Sequence, residues 1–302
     1  MTPAAGLLLL LSAVTHAGWN FLSKRDHPTL AYYLVANTIG ALCILPLLAV
    51  YGPKLPLVPA RVWHCVNVSG FCLAAYMAAL AAAYRIGDIS VAYPIARSLP
   101  AVLVTAAAAF FGMGPKVGGA FWLGVWMIVG GCILLPLKDR HQLRLSNYFN
   151  GCAALALLAA VFISGYTLVD YQALRWLRVS GRGLWSATDA TLIYLVLEAL
   201  SASLWKAVMV MGSRRERKAL REVLGGFKGS AAVTGGGIYL TYGLVLLSMN
   251  HVSSVSYVAA VRLLSIPLGA IGGIVFLAEP GYRMKLAGLV SIVCGLVLTS
   301  FF

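Results

Sequence analysis

Apolar residues fall in long runs separated by short polar gaps. A helix that crosses a bilayer needs about 20 predominantly apolar residues. Ten runs are of that order: Pro3–Phe21, Leu30–Tyr51, Val62–Tyr84, Ser90–Met113, Val117–Leu137, Phe149–Val169, Ala190–Met211, Ser230–Met249, Val252–Ala278 and Leu286–Phe302. Each predicts one membrane-spanning helix. The gaps hold charges and helix breakers, as in Lys24-Arg25-Asp26-His27-Pro28, Tyr51-Gly52-Pro53-Lys54, Lys138-Asp139-Arg140, Arg214-Arg215-Glu216-Arg217-Lys218 and Glu279-Pro280-Gly281. The first run lacks the basic start of a signal peptide and its apolar stretch is long, so it reads as a span.

The chain also repeats itself. Displaced by 164 residues, Val91-Ala92-Tyr93-Pro94-Ile95-Ala96 falls on Val255-Ser256-Tyr257-Val258-Ala259-Ala260. In the same register Gly124, Ile128, Val129, Gly131 and Leu134 fall on Gly288, Ile292, Val293, Gly295 and Leu298. Identities at helical spacing in one register exceed what apolar composition supplies. They divide the chain into two five-span units, residues 1–137 and 149–302, joined by a linker over 138–148. Because five is odd, the second unit enters the membrane with the opposite orientation to the first. Secondary transporters use such inverted repeats, with substrate sites near the midplane between the halves. The expected fold is an all-α integral membrane protein, about ten transmembrane helices in two inverted five-helix repeats.

Composition supports lipid as the solvent. The chain is 61% hydrophobic and 11% charged, against about 25% charged for a soluble domain. A net charge of +14 would raise nucleic acid in a soluble protein. Here the basic residues lie mostly in the gaps, where they meet anionic headgroups, and no nucleic-acid partner is expected. Cys43, Cys65, Cys72, Cys132, Cys152 and Cys294 all lie in apolar runs without a CxxC pair and read as buried free thiols. The histidines lack metal-ligand spacing, and no nucleotide-binding, HExxH or GxSxG pattern occurs. No cofactor, metal or catalytic group is expected. Gly235-Gly236-Gly237 and the pair Gly269 and Gly273 read as points of close helix approach.

An ionisable group at membrane depth costs at least about 2.5–3.5 kcal/mol on insertion scales, so those inside the runs mark a wet cavity or a partner. Arg97 in the fourth run and Arg262 in the ninth come from corresponding spans, one residue out of strict register. Facing the centre together, they make a positive site for a carboxylate or phosphate-type group, since guanidinium offers a bidentate fork. The alternative is that each snorkels to an interface or pairs with an internal acid. Pro94 and Pro100 flank the first arginine and Pro267 follows the second, freeing carbonyls and permitting a bend. Glu198, the only acid deep in a run, reads as a proton-coupling carboxyl or as the fixed partner of one arginine. Asp170, at the end of the sixth run, reads as a shallower charge. His16, Trp19 and Asn20 share one face of the first span, open to ligand or to a neighbouring helix. The hydroxyls of Tyr93, Tyr166, Tyr239, Tyr242 and Tyr257 either line a cavity or sit in packing.

Several of these residues carry a family resemblance. His16-Ala17-Gly18-Trp19-Asn20-Phe21-Leu22-Ser23-Lys24 is similar to the H-x-x-W-N-x-x-x-K opening of the EamA family of the drug/metabolite transporter superfamily. Ala83-Tyr84-Arg85-Ile86-Gly87-Asp88-Ile89-Ser90-Val91-Ala92-Tyr93-Pro94-Ile95-Ala96-Arg97 resembles that family's A-Y-R-x-G-D-x-S-x-x-Y-P-x-A-R. Tyr166-Thr167-Leu168-Val169-Asp170 recurs in the group, and the ninth and tenth runs, with Arg262 and Glu279, resemble the second EamA copy. One departure stands out. Members usually carry Gly-Glu at the end of the fourth span, whereas Gly112-Met113-Gly114-Pro115-Lys116 has no acid.

The resemblance implies ten spans in two EamA units of a bacterial inner membrane. The lipid bilayer and a small-molecule substrate are then the partners, and the sequence is compatible with a monomer. It also implies both ends in the cytoplasm. Loop Lys and Arg number six on that side and fourteen on the other, so the positive-inside rule points the opposite way. The expected function is a secondary transporter of an amino acid, organic acid or phosphonate-like anion or zwitterion, working by alternating access. A membrane-embedded enzyme or a non-transporting ligand-binding membrane protein are the alternatives.

Overall fold

The computed structural model describes residues 2–24, 29–86, 89–113, 118–135, 137, 150–181, 184–226, 229–276 and 281–301. The linker over 138–148, Lys116 and Glu279 lie outside the described residues, as do the side chains of Asn20 and Tyr93. Among the described residues every regular element is helical. In chain order these are α1 (Pro3–Lys24), α2 (Leu30–Ile44), α3 (Leu47–Tyr51), α4 (Ala60–Ile86), α5 (Ile89–Phe110), α6 (Gly119–Leu134), α7 (Gly151–Ser180), α8 (Ala187–Gly212), α9 (Arg214–Gly225), α10 (Gly229–Ser248), α11 (Val255–Val261), α12 (Ser265–Phe276) and α13 (Arg283–Phe301).

Helix ends fall where the polar gaps supply caps. Thr29 accepts from Tyr32 N at α2, Asn150 from Ala153 N at α7 and Ser213 from Glu216 N at α9. Ser186 and Asp189 form a reciprocal capping box on α8, satisfying N–H groups that a helix start leaves open. α5 ends through Gly112, whose φ of 62° lies in the left-handed region that glycine enters without strain.

Four helices are long and apolar enough to cross a membrane: Ala60–Ala83 of α4, then α7, α8 and α10. A fifth candidate is the second run, in which α2 bends by 48° into α3 and the short 3-10 turn Gly52–Leu57. Pro46 stands at that bend, just before α3, where its missing N–H breaks the ladder. Shorter apolar helices occupy Pro3–Trp19, Ile95–Phe110, Gly119–Leu134 and Val255–Ile271. Large apolar side chains stay exposed around the outside, among them Leu7, Phe110, Trp126, Leu204, Val275 and Val290. Such a surface suits lipid and not water.

Three elements differ from the sequence reading. α7 does not stop at Val169 but runs to Ser180. The ninth run is broken into α11, a 3-10 turn Arg262–Leu264 and α12. Arg214–Gly225, read as a charged gap, forms the helix α9. It docks through buried Glu216, which accepts from Ala31 N at 3.2 Å and pairs with Arg85 at 3.0 Å. The cysteines are free; Cys72, Cys132 and Cys152 are buried, while Cys43 and Cys294 are exposed, contrary to expectation.

α4 packs on α7 and α8, α1 and α2 on α10, α5 on α7, and α6 on α13. The last pair is in backbone contact. A Cβ at Gly124 would lie 2.6 Å from the Gly295 carbonyl oxygen, and one at Gly131 2.6 Å from that of Gly288. Ser291 Oγ donates to the Met127 carbonyl at the same crossing, 2.7 Å away. Gly235 likewise meets the Ala36 carbonyl of α2, but Gly236 and Gly269 face open space, so only part of the glycine pattern marks close approach. A large apolar core unites α1, α2, α4, α7, α8 and α10. A smaller one holds Phe121, Val125 and Ile128 of α6 against Ile292 and Leu296 of α13.

Candidate functional site

A cavity lies between α1, α5, α7, α10 and the broken ninth run, drawing on both cores. Ser12, Ala13 and His16 of α1 line it, with Ala96, Arg97, Pro100 and Val104 of α5, Ile163 and Thr167 of α7, Thr241 of α10, and Ala259, Arg262 and Leu263. No acid is among these lining residues. Pro100 cannot donate to the Ala96 carbonyl one turn earlier, and Pro267 cannot donate to that of Leu263. Both of those residues line the cavity; the Leu263 carbonyl accepts instead from the Ser265 N–H within the 3-10 turn.

The two sequence-predicted arginines meet here. Arg97 Nη2 donates to His16 Nε2, and His16 also lies within the electrostatic reach of Arg262. Arg262 sits at the C-terminus of α11, where the chain tightens into the 3-10 turn. Mid-helix 3-10 turns are common at functional hinges. Its Nη2 donates to Tyr166 OH at 2.9 Å and its Nη1 to Thr167 Oγ1 at 3.5 Å. The guanidinium lies 5.7 Å from the centre of the Tyr166 ring, a cation–π geometry. The sequence reading left open an ion pair between Arg262 and an internal acid. Among the described residues no carboxylate lies within salt-bridge distance of Arg262.

Trp19 stacks edge-on against His16 with ring centroids 4.7 Å apart and packs on Gly237. Among the described residues its buried Nε1 has no hydrogen-bond partner, and neither does the Thr241 hydroxyl in the cavity wall. Ser12 Oγ ties α1 to α10 by donating to the Thr241 carbonyl at 3.0 Å.

The remaining candidates lie behind the cavity. Asp170 is not a shallow interface charge. It is 0% exposed, because α7 continues for ten residues beyond it. Its Oδ1 accepts from Ser69 at 2.6 Å and Tyr194 at 2.8 Å, and its Oδ2 from Tyr242. Three hydroxyl donors are the compensation a buried carboxylate needs. Tyr242 packs edge-on against Tyr166, 6.3 Å between centroids, so the Asp170 network supports the ring that holds Arg262.

Glu198 is fully buried in the middle of α8, and among the described residues neither of its oxygens has a hydrogen-bond partner. It has not paired with either arginine. The cation nearest in electrostatic effect is Lys206, two turns along the same helix, which is itself buried and donates to Asn37 Oδ1 at 3.0 Å. Tyr239 reaches the Ala199 carbonyl at 3.5 Å. Tyr257 is half-buried and packs edge-on against Phe121, 5.4 Å between centroids. Neither tyrosine lines the cavity.

Sequence reasoning missed Lys206, Asn37, Ser69, Tyr194, Thr167 and Thr241. Lys206 had a readable signal, a charge inside the seventh apolar run. The hydroxyl and amide residues had none, since Ser, Thr and Tyr are common in buried helices.

No protein-family model matches the sequence, and neither does any curated protein sequence. Among solved structures the fold recurs. One crystal structure, of a protein described no further, superposes with a TM-score of 0.68 over 99% of this chain and 98% of that chain, at 15% identity. At that identity the likeness is one of fold alone.

Proposed function

We propose that the chain is a ten-span secondary transporter of the inner membrane, built from two inverted five-helix units, which carries a small organic anion or zwitterion through the cavity between α1, α5, α7, α10 and α11. One observation carries the reading. Arg97 and Arg262, from corresponding segments of the two halves, line one cavity together with a histidine and a hydroxyl that has no partner among the described residues. Two guanidinium groups in a mostly apolar chamber suit a carboxylate, phosphonate or similar oxyanion. The lining supplies no acid for an opposite task.

Packing supports the paired halves. The 164-residue shift relates Gly124 to Gly288, Gly131 to Gly295 and Met127 to Ser291. The contacts at the α6–α13 crossing are Gly124 with Gly295, Gly131 with Gly288 and Ser291 with Met127, so exchanging the halves maps this interface onto itself. The α4–α7 and α1–α10 packings exchange in the same way. The break at Arg262 is the kind of discontinuous span on which transporter sites are built. The EamA resemblance points to the same function. Apolar helices long enough to cross a bilayer support a membrane setting for the proposed activity.

Purified protein in liposomes tests the reading by counterflow of radiolabelled succinate, methylphosphonate and alanine. Exchange of at least one, abolished by Arg97→Gln or Arg262→Gln, is the expected result. Binding of a probe without any flux would favour a non-transporting ligand-binding protein.

A further inference from the structure

Among the described residues, Glu198 is the buried carboxyl that the cavity reading leaves without a task. It is 0% exposed, and among the described residues neither oxygen has a hydrogen-bond partner. Asp170, by contrast, is saturated by three hydroxyls. The unit that Glu198 belongs to is asymmetric here. The 164-residue shift takes Glu198 to Leu34 and Lys206 to Leu42, so the first half has neither charge.

The groups acting on Glu198 are Asp170 from α7, Lys206 and Tyr194 from its own helix, and Tyr239 and Tyr242 from α10. α2 and α4 contribute uncharged Asn37 and Ser69 to the same cluster. Among the described residues Lys206 is not within salt-bridge distance of Glu198, so the two do not form a closed pair. A route joins the cluster to the cavity. Tyr194, one turn before Glu198, donates to Asp170; Tyr242 donates to Asp170 from the other side; Tyr242 packs on Tyr166; and Tyr166 holds Arg262.

We infer that Glu198 is a proton-binding site that couples the cavity to a transmembrane proton gradient, an inference that rests on the transporter reading above. The ligand is identified by what surrounds the carboxyl. A metal ion needs several oxygen ligands converging on it. No side-chain hydroxyl reaches Glu198, and no cluster of carboxylate, imidazole or thiol ligands occurs among the described residues. A proton needs only the carboxyl oxygen itself. Glu198 takes one proton from water on one side of the membrane and returns it to water on the other. Full burial ties each exchange to a change in packing around α8. The Tyr194–Asp170–Tyr242–Tyr166 route transmits the occupancy of Glu198 to Arg262.

Infrared pH-difference spectroscopy on the reconstituted full-length protein tests this without a substrate. Wild type is expected to show a titrating carboxylic-acid C=O band that Glu198→Gln removes and Asp170→Asn leaves in place. In liposomes, Glu198→Gln is expected to keep succinate or methylphosphonate counterflow while losing accumulation driven by an imposed pH gradient. A band that persists in Glu198→Gln, or gradient-driven accumulation equal to wild type, overturns the proposal. Absence of counterflow in wild type with every probe would sink the transporter reading instead, and the infrared result would then decide the proton site alone.

Discussion

Arg262 is held by Tyr166 in two ways at once, through a 2.9 Å hydrogen bond to the phenol oxygen and by lying 5.7 Å from the centre of the same ring. The hydrogen bond fixes where the fork points, and the ring supplies a face for the cation. Tyr166→Phe removes only the first. A hydrogen bond to a charged group is worth about 1.5–3 kcal/mol, so the Kd for an anionic probe is expected to rise about tenfold or more, since each 1.4 kcal/mol is tenfold. Tyr166→Ala removes both contacts and is expected to cost more than Tyr166→Phe. Titration calorimetry of the purified protein measures the order. Equal affinities in wild type and Tyr166→Phe would show that the phenol does not position the guanidinium.

Asp170 concentrates three donors on one buried carboxylate. Asp170→Ala strands the hydroxyls of Ser69, Tyr194 and Tyr242, each unpaired buried group costing about 1–3 kcal/mol. A fall in melting temperature is expected. Asp170→Asn keeps one acceptor and should lose less. Adding Tyr242→Phe to Asp170→Asn removes the oxygen that can accept from the new amide N–H, and a further fall is expected from the pair. A double variant that melts no lower than the single one would argue against the network.

The glycine crossing of α6 and α13 makes a comparison within one helix. A side chain at Gly124 meets the Gly295 carbonyl at 2.6 Å, while Gly130 has nothing within 4 Å. Gly124→Val has to push the helices apart and is expected to cost about 1–3 kcal/mol or more, as overpacking does. Gly130→Ala is expected to be neutral or slightly stabilising, because it replaces a flexible helical glycine in open space. Thermal unfolding in detergent separates them. Similar losses in both would mean that the close approach is not what the glycines serve.

How much of this was legible follows from which groups lipid forces into a pattern. Among the described residues each apolar run holds helix, but the second and ninth are broken, and four helices, or five with the bent pair, are long and apolar enough to cross a membrane. Arg97 and Arg262 stood out because a guanidinium in such a run has few permitted explanations, and both were found at one cavity. Asp170 reads as shallow from the sequence because the apolar run ends at Val169. The helix in fact continues as an amphipathic stretch, with Arg178 donating to Asn250 Oδ1 at 2.9 Å. Lys206 was passed over as part of an apolar run although it is 1% exposed. The triad of hydroxyls around Asp170 comes from three different helices, and no spacing along the chain records that they meet. The break at Arg262 was foreshadowed only by Pro267.

Glu216 and Asp189, at opposite ends of α8, tie that region to α2, α4 and the turn after α3, with different burial. Glu216 is 6% exposed and joins α9 to Arg85 and to the Ala31 N–H in the first turn of α2, where a carboxylate is favoured by the helix dipole. Asp189 bonds Tyr51 OH at 3.0 Å and lies 3.6 Å from Lys54, with both ionic side chains about a third exposed at 33% and 29%. Exposed ion pairs contribute about 0–1 kcal/mol, so Asp189→Ala is expected to cost mainly the α8 cap, about 1 kcal/mol. Glu216→Ala leaves Arg85 and the Ala31 N–H without their acceptor and is expected to release α9. The readout is limited trypsin digestion, since Arg214, Arg215, Arg217, Lys218 and Arg221 all lie on α9. Cleavage there should accelerate in Glu216→Ala, less so in Glu216→Gln, and not in Asp189→Ala. Unchanged digestion in Glu216→Ala would show that Leu220 and Val223, packed on the core, hold α9 without the ion pair.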